Sequence, residues 1–182
     1  IAYSLDKGRS WTKYANNPVL DLDMKDFRDS KVIWHEATAR WTMVVALPKE
    51  YKVHFYASDY LKACAFLSEF GPAGSTDVIW QCPDLFELPL ENSTDSRWVL
   101  EVDIGDGAVA GGSGGQYYVG TFDGTTFIND NPPEQTLWVD YGADFYAGVS
   151  WSNIPKTDGR RIFLAWMNNW QYAQDIPTTP WR

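Results

Sequence analysis

The sequence predicts an all-β fold, a β-propeller, from three observations. Short strand-like runs recur along its 182 residues while convincing amphipathic helices do not. Asp123-Gly124 punctuates two such runs with a hairpin signal, because both residue types tolerate positive φ. A faint Asp-box repeat, Ser4-x-Asp6-x-Gly8-x-x-Trp11, returns in degraded form at Ser58-Asp59 with Cys64 in place of the Trp. The offset from Trp11 to Cys64 is close to one four-stranded blade per ~40–50 residues, so the chain supplies roughly three and a half to four blades.

The predicted strands follow in order. Residues 33–34 and 41–47 flank a polar turn, and 53–57 comes next. Residues 98–102 precede the hairpin 116–122/125–127, and 136–139, 146–150 and 161–166 complete the set. Strands this short and this regularly spaced mean a sandwich or a propeller, and the repeat favours the propeller. In the Asp-box reading, the Asp ties a hairpin turn and Trp11 packs between strands. The glycine-rich run 105–115 lacks the Lys-Ser/Thr ending and following helix of a phosphate loop, and reads as a loop before a strand.

Composition bounds the function. The chain is acidic, with 15 Lys and Arg against 24 Asp and Glu and a net charge of −9, which argues against a nucleic-acid partner. No window approaches ~18 uninterrupted apolar residues, so nothing here spans a membrane as a helix. The aromatic load is heavy, at 10 Trp, 10 Tyr and 9 Phe. Such rings stack on sugar faces but also fill sheet cores, and core packing is the expectation for most of them. Cys64 and Cys82 are too few for a disulfide framework or a structural zinc site, and one bridge between them is left open. His35 and His54 suggest no metal site, since no third ligand accompanies them. Asn92-Ser93-Thr94 is a formal glycosylation sequon and weak support for secretion. The chain begins at Ile1 with no charged leader, which says nothing about export.

Two segments carry the chemistry: Phe27-Arg28-Asp29-Ser30-Lys31-Val32, and Trp80-Gln81-Cys82-Pro83-Asp84-Leu85. Both closely resemble signatures of the family 32 glycoside hydrolases, the β-fructosidases that include invertases, inulinases and levanases. There the first reads Arg-Asp-Pro and the second Glu-Cys-Pro-Asp/Gly-Leu. Here Ser30 replaces the proline, and Gln81 stands where the family has its acid/base glutamate. Three later segments strengthen the resemblance: Asp140-Tyr141-Gly142-Ala143-Asp144-Phe145-Tyr146-Ala147, Trp166-Met167-Asn168-Asn169-Trp170-Gln171-Tyr172, and Pro177-Thr178-Thr179-Pro180-Trp181-Arg182.

The resemblance implies a five-bladed propeller, of which residues 1–182 form a single incomplete domain with the first blade and the end of the propeller missing. It implies a retaining double displacement, which needs two carboxyls about 5–5.5 Å apart. Asp29 would stabilise charge developing on the fructose ring, Arg28 would orient Asp29 or touch the sugar, and Asp144 and Trp166 would line the pocket. Gln81 would occupy the acid/base position. An amide cannot titrate in water, so it can hydrogen-bond a glycosidic oxygen without protonating it. The family's nucleophile motif, Trp-x-Asn-Asp-Pro-Asn-Gly, is not among these residues. Asn129-Asp130-Asn131-Pro132-Pro133 looks similar but reads as a turn. The expected activity of the intact parent is release of terminal fructose from inulin, levan or sucrose, outside the cell or in the periplasm, without metal or cofactor. These residues alone would be inactive. The rival is a catalytically dead fructan-binding propeller; a five-bladed arabinan- or xylan-active relative fits the motifs poorly.

Overall fold

The computed structural model describes residues 1–155 and 157–175. Its strands form four antiparallel sheets that follow one another along the chain, two complete and two short. A hairpin, β1 (Ala2–Tyr3) and β2 (Thr12–Lys13), comes first. A four-stranded meander follows, from β3 (Arg28–His35) through β4 (Arg40–Leu47) and β5 (Lys52–Ser58) to β6 (Ala65–Phe70). The next sheet runs β7 (Trp80–Pro89), β8 (Ser96–Ile104), β9 (Gly114–Phe122) and β10 (Phe127–Asn129), with β11 (Leu137–Trp138) also pairing with β9. A last hairpin joins β12 (Tyr146–Ser150) to β13 (Phe163–Trp166).

Period-2 alternation explains how the two full sheets stack. On β8, Leu100, Val102 and Ile104 point one way and are completely buried. They share one core with Val44, Val53 and Phe55 of the preceding sheet and with Trp80, Leu85 and Tyr118 of their own. Aromatic edges fill this seam: Phe70 meets Tyr118 at 4.8 Å and Phe127 at 5.2 Å between ring centres, both T-shaped.

The three innermost strands repeat one irregularity at the same end. β3 is bulged between Arg28 and Lys31, β7 between Gln81 and Asp84, and β12 between Tyr146 and Val149. Each bulge holds a non-glycine residue in the left-handed region: Asp29 at φ 60°, Cys82 at φ 47° and Ala147 at φ 54°. A bulge adds a residue, bends the strand and re-aims its side chains, and such backbone costs about 1–3 kcal/mol per site. Three matched bulges therefore collect Asp29, Gln81 and Tyr146 at one end of the sheets.

Several sequence expectations need correction. Asp6 does tie the first turn, accepting the N–H groups of Arg9 (3.0 Å) and Ser10 (2.9 Å). The Ser10 N–H is the largest of the bonds that hold its carboxyl at about 2. Trp11, however, does not pack between strands; it is 66% exposed, with Nε1 donating to Gly8 O. In the degraded copy it is the Ser58 hydroxyl, accepting the Leu61 N–H at 2.9 Å, that holds the turn. Only Gly124 of the Asp-Gly pair takes positive φ, at 89°. Asp123 instead accepts the N–H groups of Thr125 and Thr126, both at 2.7 Å, so the connection from Phe122 to Phe127 is a longer loop. The Arg28-Asp29 and Gln81-Cys82 motifs lie inside β3 and β7, and β6 is a strand beyond those expected. Pro83 sits within β7 because the bulge removes the need for its missing N–H. Cys64 and Cys82 are both free.

Candidate active site

Asp29 and Gln81 meet through Cys82. The bulge in β3 turns the Asp29 carboxylate across to β7, where Oδ2 accepts the Cys82 N–H at 3.2 Å. The Cys82 thiol lies 3.8 Å from the same oxygen. Burial raises the thiol's pKa well above its ordinary value, with the carboxylates of Asp103 and Asp29 adding to it, so Cys82 is an inert neutral group here. Gln81 immediately precedes Cys82 on β7.

Arg28 stands beside Asp29 but is committed elsewhere. Its Nη1 donates to Asp26 at 2.6 Å, while its Nε is 3.8 Å from Asp29 Oδ2. Lys49 also binds Asp26, at 2.8 Å. Asp26 is pulled below its ordinary carboxylate value by the bonds from Lys49 and then Arg28. The arginine thus braces the loop into β3 and leaves Asp29 one free oxygen edge. A depression of about 560 Å³ opens beside these residues, lined by Arg28, Asp29, Ser30, Phe27, Val19 and Leu20 among others.

Gln81 is held from the opposite side by the β12 bulge. The Tyr146 hydroxyl donates to Gln81 Oε1, so the amide N–H groups of Gln81 are not engaged in that bond. Tyr146 is itself walled by indoles: Trp166 at 6.2 Å and Trp170 at 6.1 Å between ring centres, both edge-on, with the two indoles 5.0 Å apart. Trp166 is 37% exposed and Trp170 49%, so their outer faces remain available at the site. Burial raises the Tyr146 pKa, which keeps the phenol a neutral donor.

Asp144 is placed differently from the other predicted residues. It is exposed, and its Oδ1 accepts the Tyr172 hydroxyl, which raises the pKa of that phenol. Its link to the rest of the site runs through the turn that carries the indoles. Asn169, fully buried, holds that turn in place. Its Oδ1 accepts the N–H groups of Ser113 and Gln171, and its Nδ2 donates to Gly111 O and Ala143 O at 3.0 and 2.7 Å. Gly112, at φ 67°, is the position where a Cβ would fall 2.0 Å from Asn169 Oδ1. The glycine run is thus a seat for Asn169. The Pro177–Arg182 motif lies outside the described residues.

Beneath the site, Lys31 joins the three innermost strands. Its Nζ donates to Asp84 Oδ2 at 3.2 Å and to Ser150 O at 2.5 Å. Asp84 also accepts the Ser150 N–H and that of Leu85. Next to this ion pair, Glu101 and Asp103 occupy the other face of β8 and are 1% and 0% exposed. Burial, then mutual repulsion with Asp103 and Asp84, raises the Glu101 pKa well above its ordinary 4.5. This gives a pH prediction. A carboxyl raised on folding contributes stability below its unfolded value and loses it as pH climbs through the native one. Unfolding midpoints in urea should therefore fall as pH rises above about 4.5, and Glu101→Gln should flatten that decline. An unchanged slope in Glu101→Gln would contradict the assignment.

Sequence reasoning missed Lys31, Asp84, Glu101, Asp103 and Tyr146 as site-building residues. The signal available was small: Leu100-Glu101-Val102-Asp103-Ile104 alternates acid and aliphatic side chains, which reads as a strand with one wet face.

The family model "Glycosyl hydrolases family 32 N-terminal domain" matches residues 1–182. A levanase of Bacillus subtilis is 57% identical over 185 residues, covering 100% of this chain and 27% of that protein. An extracellular exo-inulinase of Meyerozyma guilliermondii is 44% identical, covering 100% of the chain and 35% of that protein. A solved fructofuranosidase from Schwanniomyces occidentalis, complexed with fructose, superposes with a TM-score of 0.91 at 46% identity over the whole chain and 34% of that structure. The chain spans about a third of the length of these relatives. The consecutive sheets, two complete and two short, are blades of a partial propeller, and the chain belongs to the N-terminal domain of glycoside hydrolase family 32.

Proposed function

We propose that residues 1–182 supply part of the fructoside site of a β-fructosidase acting on terminal fructose of inulin, levan or sucrose, within one incomplete propeller domain. The observation that carries the reading is the convergence of three bulged strands. Asp29 accepts the Cys82 N–H, its neighbour Gln81 is held by Tyr146, and Tyr146 is walled by Trp166 and Trp170. A carboxylate at the same end of the sheets as two part-exposed indoles offers the chemistry of sugar recognition: charge-assisted bonds to hydroxyls and C–H stacking. In this reading Asp29 binds ring hydroxyls and stabilises positive charge in the transition state, while the Gln81 amide N–H meets the glycosidic oxygen. Arg28 braces Asp29 from behind, and Asp144 with Tyr172 forms the outer rim. Secretion of the parent is supported by a relative named as extracellular.

A second reading rests on Gln81 itself. With no proton to lend, the site binds fructosides without cleaving them, as a fructan-binding propeller. Both readings share one expectation for the full-length protein. Asp29→Ala and Trp166→Ala should each weaken calorimetric binding of a short inulin-type fructo-oligosaccharide by about tenfold or more, ~1.4 kcal/mol. Undiminished affinity in both variants would remove the site from this end of the sheets.

A further inference from the structure

The central strand of the second full blade carries two acids with no cation to answer them. Glu101 and Asp103 share one face of β8 and lean on the bare face of Gly115 in β9. A Cβ there would lie 2.8 Å from Glu101 Oε1 and 3.2 Å from Asp103 Oδ1. The titratable groups that face the pair are Asp29 and Lys31 from β3, Cys82 and Asp84 from β7, Tyr118 from β9 and Tyr146 from β12. Lys31, the one cation in that set, is taken by Asp84 and Ser150 O. Both Glu101 oxygens and Asp103 Oδ1 meet no donor from the rest of the described protein. Two carboxylates cannot stay buried this way as ions, so the pair keeps a proton between them.

The remaining oxygen has a clear target. Asp103 Oδ2 accepts the Gly148 N–H at 3.0 Å, across to the next sheet. Gly148 lies in the β12 bulge, directly after Ala147 in its left-handed conformation. No larger residue fits there, since a Cβ would fall 2.5 Å from the Phe163 ring. The same bulge aims the Tyr146 hydroxyl at Gln81 Oε1. We propose that Asp103, backed by Glu101, is a positioning residue of this site: it pins the β12 bulge through Gly148 and so fixes Tyr146 against Gln81. The proposal rests on the fructoside reading and adds to it the device that orients the residue facing the glycosidic oxygen. Asp103 touches no substrate and acts only through Tyr146.

The test is a double-mutant cycle in the full-length protein carrying Gln81→Glu, with turnover of a short inulin-type oligosaccharide as the readout. Asp103→Ala removes the oxygen that accepts the Gly148 N–H. It should lower kcat about tenfold with KM changed less than about twofold, because a misaimed group costs rate before it costs binding. Tyr146→Phe should do the same, and the double variant should be no worse than the more damaging single one. Losses that multiply would overturn the proposal. A second readout does not depend on activity. The Gly148 amide proton should lose its carboxylate-bonded chemical shift and its exchange protection in Asp103→Ala and keep both in Glu101→Gln. An unchanged Gly148 amide in Asp103→Ala overturns the proposal whatever the kinetics. If the Gln81→Glu form turns over no fructoside, the β-fructosidase reading falls instead, and the Gly148 amide alone decides the positioning proposal.

Discussion

Gln81→Glu in the full-length protein should raise fructose release by roughly 10²–10⁴-fold, the worth of a positioned general acid, or about 3–5 kcal/mol of barrier. The side chains are near isosteric, so contacts made by Asp29 and Trp166 should hardly move and affinity for a short fructo-oligosaccharide should stay within a few-fold. The Tyr146 hydroxyl that now donates to Gln81 Oε1 would donate to one oxygen of the new carboxyl. The other oxygen is then free to carry the proton. That bond favours the ionised form and burial the protonated form, so a bell-shaped pH profile should appear with its basic limb set by this group. Equal turnover in the two forms would mean that Gln81 does not face the leaving-group oxygen.

Lys31→Met should be the most damaging single change to stability. The Lys31 side chain is 14% exposed and that of its partner Asp84 only 2%. Removing one member of a buried pair typically costs 3–5 kcal/mol, since the remaining charge is left without compensation. Here the orphaned Asp84 would sit beside Glu101 and Asp103, and three strands from three sheets would lose their common tie at Ser150 O. The lost stability should appear as a lower urea midpoint with an unchanged slope. A change below about 1 kcal/mol would show that the pair contributes no more than a surface ion pair does.

Much of the fold was legible because its strands obey simple rules. β4, β5, β8 and β9 are apolar or alternating runs bounded by turn residues, and each lies where the pattern puts it. β7 was harder to read because Cys82-Pro83-Asp84 looks like a turn. Only the bulge, with Cys82 at φ 47°, lets proline lie inside a strand. Trp11 was misplaced because its fate depends on what packs over the first hairpin, which local sequence does not encode. At the candidate site, Asp29 and Gln81 stand out through their motifs. Their supports do not stand out. Gln81 and Tyr146 are 65 residues apart, Lys31 and Ser150 are 119 apart, and Asp103 and Gly148 are 45 apart. Such partnerships are created by the stacking of blades. The acids of β8 are hidden in the same way: alternation is compatible with a solvent face until another sheet covers it.

The most direct test of the fructoside site is a crystal structure of the full-length protein soaked with a short inulin-type oligosaccharide. Gln81 should keep the substrate intact during the soak. The terminal fructose should rest against the Trp166 and Trp170 faces, with hydroxyls on the free oxygen of Asp29 and the Gln81 amide directed at the glycosidic oxygen. A second cavity of about 480 Å³, lined by Trp34, Glu36, Glu87 and Arg161, lies toward the opposite ends of β3 and β7. A sugar bound there, with the Asp29 end empty, would contradict the account.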